Sequence, residues 1–120
     1  MSGWNAKITR IDQPEPGLLS LSLRAEGRNA ALLLVTLPSA LDAGLVDERP
    51  RGATASPTTT KLRRHVEGAR LVDVSMSRRA IRVSLERGGA RSAFLAAATK
   101  PYGAWWLCDA DGALVMRSPG

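Results

Sequence analysis

Only five of the 120 residues are aromatic, one is cysteine and one is histidine. Each scarcity excludes a class of chemistry. Cys108, alone, rules out an internal disulfide and any multi-cysteine metal site. His65 lies far from Cys108 with no ligand spacing between them, so neither a zinc site nor a nucleophile–base pair is indicated. The chain has no run of about 18 uninterrupted apolar residues, so no membrane-spanning helix is expected. Met1-Ser-Gly-Trp-Asn-Ala-Lys7 has no apolar stretch after a charged start and does not read as a signal peptide. Gly88-Gly89 matches no phosphate-cradling loop. The expectation is one cytoplasmic domain with no membrane, cofactor, metal or small-molecule substrate, and no enzymatic activity.

What is present is positive charge, concentrated in one segment. Residues 61–91 hold nine Lys/Arg against three acids, an excess of +6 that equals the net charge of the whole chain. The first sixty residues balance at six and six. Fourteen of the seventeen basic residues are arginine; base composition alone can cause that bias, so the clustering is the more informative fact. A fixed patch of guanidinium groups attracts a polyanion such as RNA better than scattered charge does.

The pattern predicts a β-rich α+β domain, mainly antiparallel, with one principal helix. A short strand is expected over 6–12, then a turn at Gln13-Pro-Glu-Pro-Gly17. Leu19, Leu21 and Leu23 alternate with polar residues, as in a strand with one buried face. Glu26-Gly-Arg-Asn29 predicts a hairpin turn, and the apolar run 30–37 a central covered strand. A long connection follows from Pro38 to Pro57, with a short edge strand near Gly44–Asp47. Ser56-Pro57 predicts a helix start and Gly68 its end, with Leu62 and Val66 on one face. Strands are expected over 69–76, 79–86, 91–97 and 104–108, with 113–117 after the turn at Asp109-Ala-Asp-Gly112. In the second of these Arg79, Ile81, Val83 and Leu85 would share a face.

Candidate binding residues follow from this arrangement. Arg63, Arg64, Arg78, Arg79 and Arg82 would present the positive surface to phosphate, and His65 has a structural or RNA-facing role. Of the adjacent Trp105 and Trp106, one enters the core; the other faces solvent, a partner or a nucleobase. Asp109 and Asp111 read as turn residues, not as paired catalytic acids.

Leu62-Arg-Arg-His-Val-Glu-Gly-Ala-Arg-Leu71 closely resembles the Leu-Arg-Lys-His-Leu-Glu-Gly-Ala-Arg signature of the NFACT N-terminal domain, found in fibronectin-binding-A-like proteins of ribosome-associated quality control. The resemblance runs in order along most of residues 1–120. Lys7–Pro16 is similar to the family's opening strand and turn, Leu32–Leu37 to its apolar strand, and Trp105–Leu114 to its closing strand-turn-strand. It implies a fold like the N-terminal part of formamidopyrimidine-DNA glycosylases without glycosylase activity, since the proline amine used there has no counterpart in Met1-Ser2-Gly3. It also implies a scaffold that binds large-subunit ribosomal RNA and tRNA, leaving peptide-bond chemistry to the ribosome.

The chain departs from the pattern at definite places. The family's Asp-Arg pair, implicated in tRNA engagement, falls on Arg78 and Arg79, so the arginine is kept and the acid is not. Its Gly-x-x-Ser-Asn segment falls on Lys100-Pro-Tyr-Gly-Ala104. The family's first helix ahead of Lys7 and its modules after Gly120 have no counterpart, so a divergent, truncated or fragmentary relative is expected. The alternative expectation is a structural or protein-interaction domain that has lost RNA binding.

Overall fold

Short runs of alternating apolar residues fold into two antiparallel meanders. The computed structural model describes residues 6–15, 17–37, 40–47, 57–98 and 103–118. The first meander is β1 (Ala6–Glu15), β2 (Leu18–Ala25), β3 (Arg28–Leu37) and β4 (Ala40–Val46). Helix α1 (Pro57–Val66) follows, and then β5 (Arg70–Met76), β6 (Ala80–Arg87), β7 (Ala90–Ala97), β8 (Ala104–Asp109) and β9 (Leu114–Arg117) form the second. Strand order across the sheet is β4-β3-β2-β1-β5-β6-β7-β8-β9. Glu26-Gly27 and Gly88-Gly89 turn two hairpins with φ of 52°, 77°, 57° and 83°, the doubly positive conformation that matches strand twist.

The seam between the meanders is short. Only Ala6 with Leu71 and Lys7 with Arg70 are paired across β1 and β5. Beyond them β1 bonds to the helix exit, where Ile8 N–H donates to the Ala69 carbonyl and Gly68 N–H donates to the Ile8 carbonyl, each at 2.8 Å. Gly68, at φ 87°, takes the left-handed conformation that ends the helix. The halves thus diverge from a hinge, and Ile8, Ile11, Leu21 and Leu34 join Leu71, Ile81, Val83, Leu85 and Phe94 in one core.

Helix α1 contributes Leu62 and Val66 to that core and also buries Thr59. The spacing of three and four residues puts all three on one face. Two arginines hold it. Arg63 Nε donates to the Ile11 carbonyl at 3.0 Å while its NH2 group binds Asp12 Oδ1. Arg87 donates to the Arg64 carbonyl at 2.8 Å, placing a cation on the negative end of the helix dipole.

Several boundaries differ from expectation. Gln13 and Pro14 lie within β1, and Glu15 pairs with Leu18. The missing proline N–H is accommodated because pairing is irregular between Asp12 and Glu15. The edge strand is longer than expected: β4 pairs with β3 from Ala40 to Val46. Its signal is weak because only Leu41 and Ala43 pack on the core. Thirdly, Arg79 does not share the face of Ile81. The Ser77 hydroxyl accepts the N–H groups of Arg79 at 3.4 Å and Ala80 at 3.2 Å, holding Arg78 and Arg79 in a turn before β6. Lastly, β5 starts at Arg70, because the backbone of Ala69 is used at the hinge. The expected cap Ser56 and Lys100–Tyr102 lie outside the described residues. No helix among the described residues is long and apolar enough to cross a membrane.

Candidate nucleic-acid interface

The basic segment of the sequence does not fold into one patch. Arg64 and His65 are exposed on the last turn of α1, beside Arg87 at the far end of β6. Arg78 and Arg79 are exposed at the near end. At about 3.3 Å per strand residue, roughly 25 Å separates the two groups. Arg82, two residues into β6, belongs with Arg78 and Arg79. Arg63 belongs with neither, because its guanidinium is turned inward onto Ile11 and Asp12 with only 21% of the side chain exposed.

Sheet register builds a different constellation at the near end. Ser75 opposes Arg82, Arg82 opposes Leu95, Leu95 opposes Trp106, and Trp106 opposes Arg117. Directly opposed residues share a face, so these five form one row across β5 to β9. Trp105 points the other way, buried against Phe94 with ring centroids 5.6 Å apart. Trp106 is half-buried on the outer face amid the small side chains of Ala93, Ala97 and Ala104. The side chains of Arg78, Arg79, Arg82 and Arg117 make no hydrogen bond or ion pair with a described residue, and all are exposed. An indole face with free guanidinium groups on either side can stack a base and hold its phosphates. The adjacent tryptophans were visible in the sequence; Arg117 was not, because it lies outside the charge-dense segment and its pairing with Trp106 depends on a register shift between Leu107 and Cys108.

Other titratable groups have structural work. Asp109 Oδ1 accepts the N–H groups of Asp111 and Ala113 at 2.9 and 3.0 Å, so it shapes the β8–β9 turn. Among the described residues no group of three His, Cys, Asp or Glu side chains is placed to hold a metal ion. Burial would raise the Asp12 carboxyl, but hydrogen bonds from Arg10 and Arg63, and their charges, outweigh it and hold it below its ordinary 3.8. The folded state therefore takes up this proton less readily than the unfolded chain. Its contribution to stability is complete above about pH 4 and is lost as pH falls through the folded value. Asp12→Asn is expected to be less stable than the parent chain at pH 7, with the difference shrinking toward pH 3. Urea unfolding at the two pH values measures this; a constant difference would remove Asp12 from the acid response.

The fold matches solved structures closely and their sequences weakly. The N-terminal domain of the fibronectin-binding protein PavA from Streptococcus pneumoniae superposes with a TM-score of 0.78 at 18% identity, over 97% of this chain and 47% of that one. The N-terminal region of the fibronectin/fibrinogen-binding protein of Streptococcus suis gives 0.76 at 16%, over 93% and 45%. The fibrinogen-binding protein of Staphylococcus aureus gives 0.71 at 17%, over 94% and 43%. This chain spans about half the length of those structures. No family model and no curated protein matches it. The likeness is one of fold, and it is the fold that the helix signature of residues 62–71 leads one to expect.

Proposed function

We propose that this chain is a cytoplasmic RNA-binding domain that engages tRNA and large-subunit ribosomal RNA in the rescue or quality control of stalled translation. It binds and does no chemistry itself. The observation that carries the binding is the row of Arg82, Leu95, Trp106 and Arg117, with Arg78 and Arg79 at its end. The ribosomal setting is supported by the resemblance of Leu62–Leu71 to the NFACT signature, as is an architecture shared with the N-terminal part of formamidopyrimidine-DNA glycosylases. Phosphate contacts fall to Arg78, Arg79, Arg82 and Arg117. Base stacking falls to Trp106.

Four phosphate contacts give a log–log salt slope of about −3, at roughly −0.7 to −0.9 per contact. Trp106→Ala is expected to weaken binding by about 1–3 kcal/mol with the slope unchanged, because stacking releases no counterions. Trp106→Phe keeps most of the affinity. Arg79→Ala loses about 1–2 kcal/mol and lowers the slope by about 1, and Arg79→Lys recovers part of the loss. Titration of tRNA and ribosomal RNA fragments across salt concentrations measures each of these affinities and slopes. A folded parent chain that binds no RNA at low salt would end this reading.

A second reading, a protein-interaction domain, draws on the sheet edges. Leu45 on β4 and Leu114 and Val115 on β9 are 55%, 57% and 42% exposed on strands that, among the described residues, pair on one side only, and the similar structures are named for binding fibronectin or fibrinogen. Sedimentation from lysate separates the readings. An RNA binder travels with ribosomal subunits and is released by nuclease; a protein binder is insensitive to nuclease.

A further inference from the structure

Three cations from separate parts of the chain meet in a second row on the outer face. Arg24 of β2 opposes Lys7 of β1, and Lys7 opposes Arg70 of β5. Arg70 opposes Glu86 of β6, and Glu86 opposes Arg91 of β7. The only acid in this row is shared, since Arg91 approaches Glu86 at 3.9 Å. Lys7, Arg24 and Arg70 are all exposed, and none makes a hydrogen bond or ion pair with a described residue.

Neighbouring strands are about 4.8 Å apart, so three like charges fall within roughly 10 Å with no acid between them. Like charges directly opposite one another destabilise a sheet. The row also crosses the hinge, where only two residue pairs join the meanders, so the repulsion falls on the weakest part of the ladder. An anion lying along the row removes that repulsion, and a chain of phosphates matches a line of cations better than a compact anion does. Glu86 lies four residues beyond Arg82 on β6, about 13 Å along the strand. Between the two rows the surface dips into a depression lined by Arg82, Ser84, Arg91 and Asp109.

We infer that Lys7, Arg24 and Arg70 form a second phosphate track for the same RNA strand whose base stacks on Trp106. This inference rests on the RNA-binding reading and extends its footprint from the second meander onto the first. Folding brings the three cations together, whereas the charge-dense segment of the sequence contains only Arg70 among them.

The test compares the parent chain with the triple variant Lys7→Gln/Arg24→Gln/Arg70→Gln and with Arg70→Gln alone. Each is titrated with oligouridines of about four and about twelve nucleotides, the range of single-strand site sizes on small β domains. The triple variant is expected to bind the longer strand about ten- to a hundredfold more weakly at low salt, with a slope shallower by about 2. Its affinity for the shorter strand, which reaches only the Trp106 row, stays within about twofold. Its melting temperature stays level or rises, because the repulsion is gone. A folded triple variant with parental affinity and slope for the longer strand overturns the track and leaves the Trp106 site standing. If the parent chain binds neither strand, both proposals fall. Arg70→Gln, which lowers the slope by about 0.7 if the track exists, decides the matter should the triple variant not fold.

Discussion

Gly103→Ala is expected to destabilise this domain strongly. An added Cβ would overlap Thr36 Oγ1 and Cβ and would stand 2.5 Å from the Thr36 carbonyl oxygen. The side chain can move; the carbonyl cannot. Thr36 is buried and fixed, its N–H donating to the Gly17 carbonyl at 2.9 Å and its hydroxyl to the same oxygen at 3.4 Å. Overpacking typically costs about 1–3 kcal/mol, and a backbone overlap lies at or above the upper end. A fall of about 10–15 °C in Tm is expected, on the usual scale of several degrees per kcal/mol for a domain of this size. Adding Thr36→Gly removes the side-chain overlap but not the carbonyl, so the double variant recovers only part of the loss. Thermal unfolding of the parent chain and both variants tests the contact. If Gly103→Ala melts within about 3 °C of the parent, less than 1 kcal/mol, Gly103 is not seated against β3.

Arg63→Ala is expected to cost about 2–4 kcal/mol of stability, while Arg64→Ala costs almost nothing. Removing Arg63 takes a charged partner from Asp12, whose side chain is only 11% exposed, and the donor from the Ile11 carbonyl. Stranding a largely buried carboxylate and a carbonyl carries the desolvation cost of both, moderated here because Arg10 still reaches Asp12 at 3.1 Å. The tether between α1 and β1 is lost as well. Arg63→Lys recovers less than half, because one ammonium cannot serve both acceptors as the guanidinium does. Denaturant unfolding gives the stability change, and RNA titration of the folded fraction gives the affinity. A stable Arg63→Ala with weakened RNA binding would return Arg63 to the phosphate-contacting set.

The strands were legible in the residues themselves wherever one face is buried and turns are marked by glycine. Leu19, Leu21 and Leu23 alternate, Gly88-Gly89 takes the only residue type that adopts two positive φ values freely, and Gly68 ends the helix. Trp105 and Trp106 had to face opposite ways, because side chains alternate in any strand. Pro14 and β4 were obscured, the first because a proline in an irregular stretch looks like a turn, the second because a half-exposed edge strand has a weak pattern. The candidate site was legible only as a density of charge. Whether two arginines are neighbours depends on strand register and on where the chain reverses, and local spacing encodes neither. Tertiary structure divided Arg64 and His65 from Arg78, Arg79 and Arg82 by the length of β6, and turned Arg63 inward because Asp12 offered it a charged partner near the core. It also set Arg117 beside Trp106 and gathered Lys7, Arg24 and Arg70 into one line. Local sequence determined which residues are strand, turn or core, since those depend on periodicity and backbone freedom; the positive surface depends on the register in which the strands pair and, in the second row, on the meeting of β1 with β5.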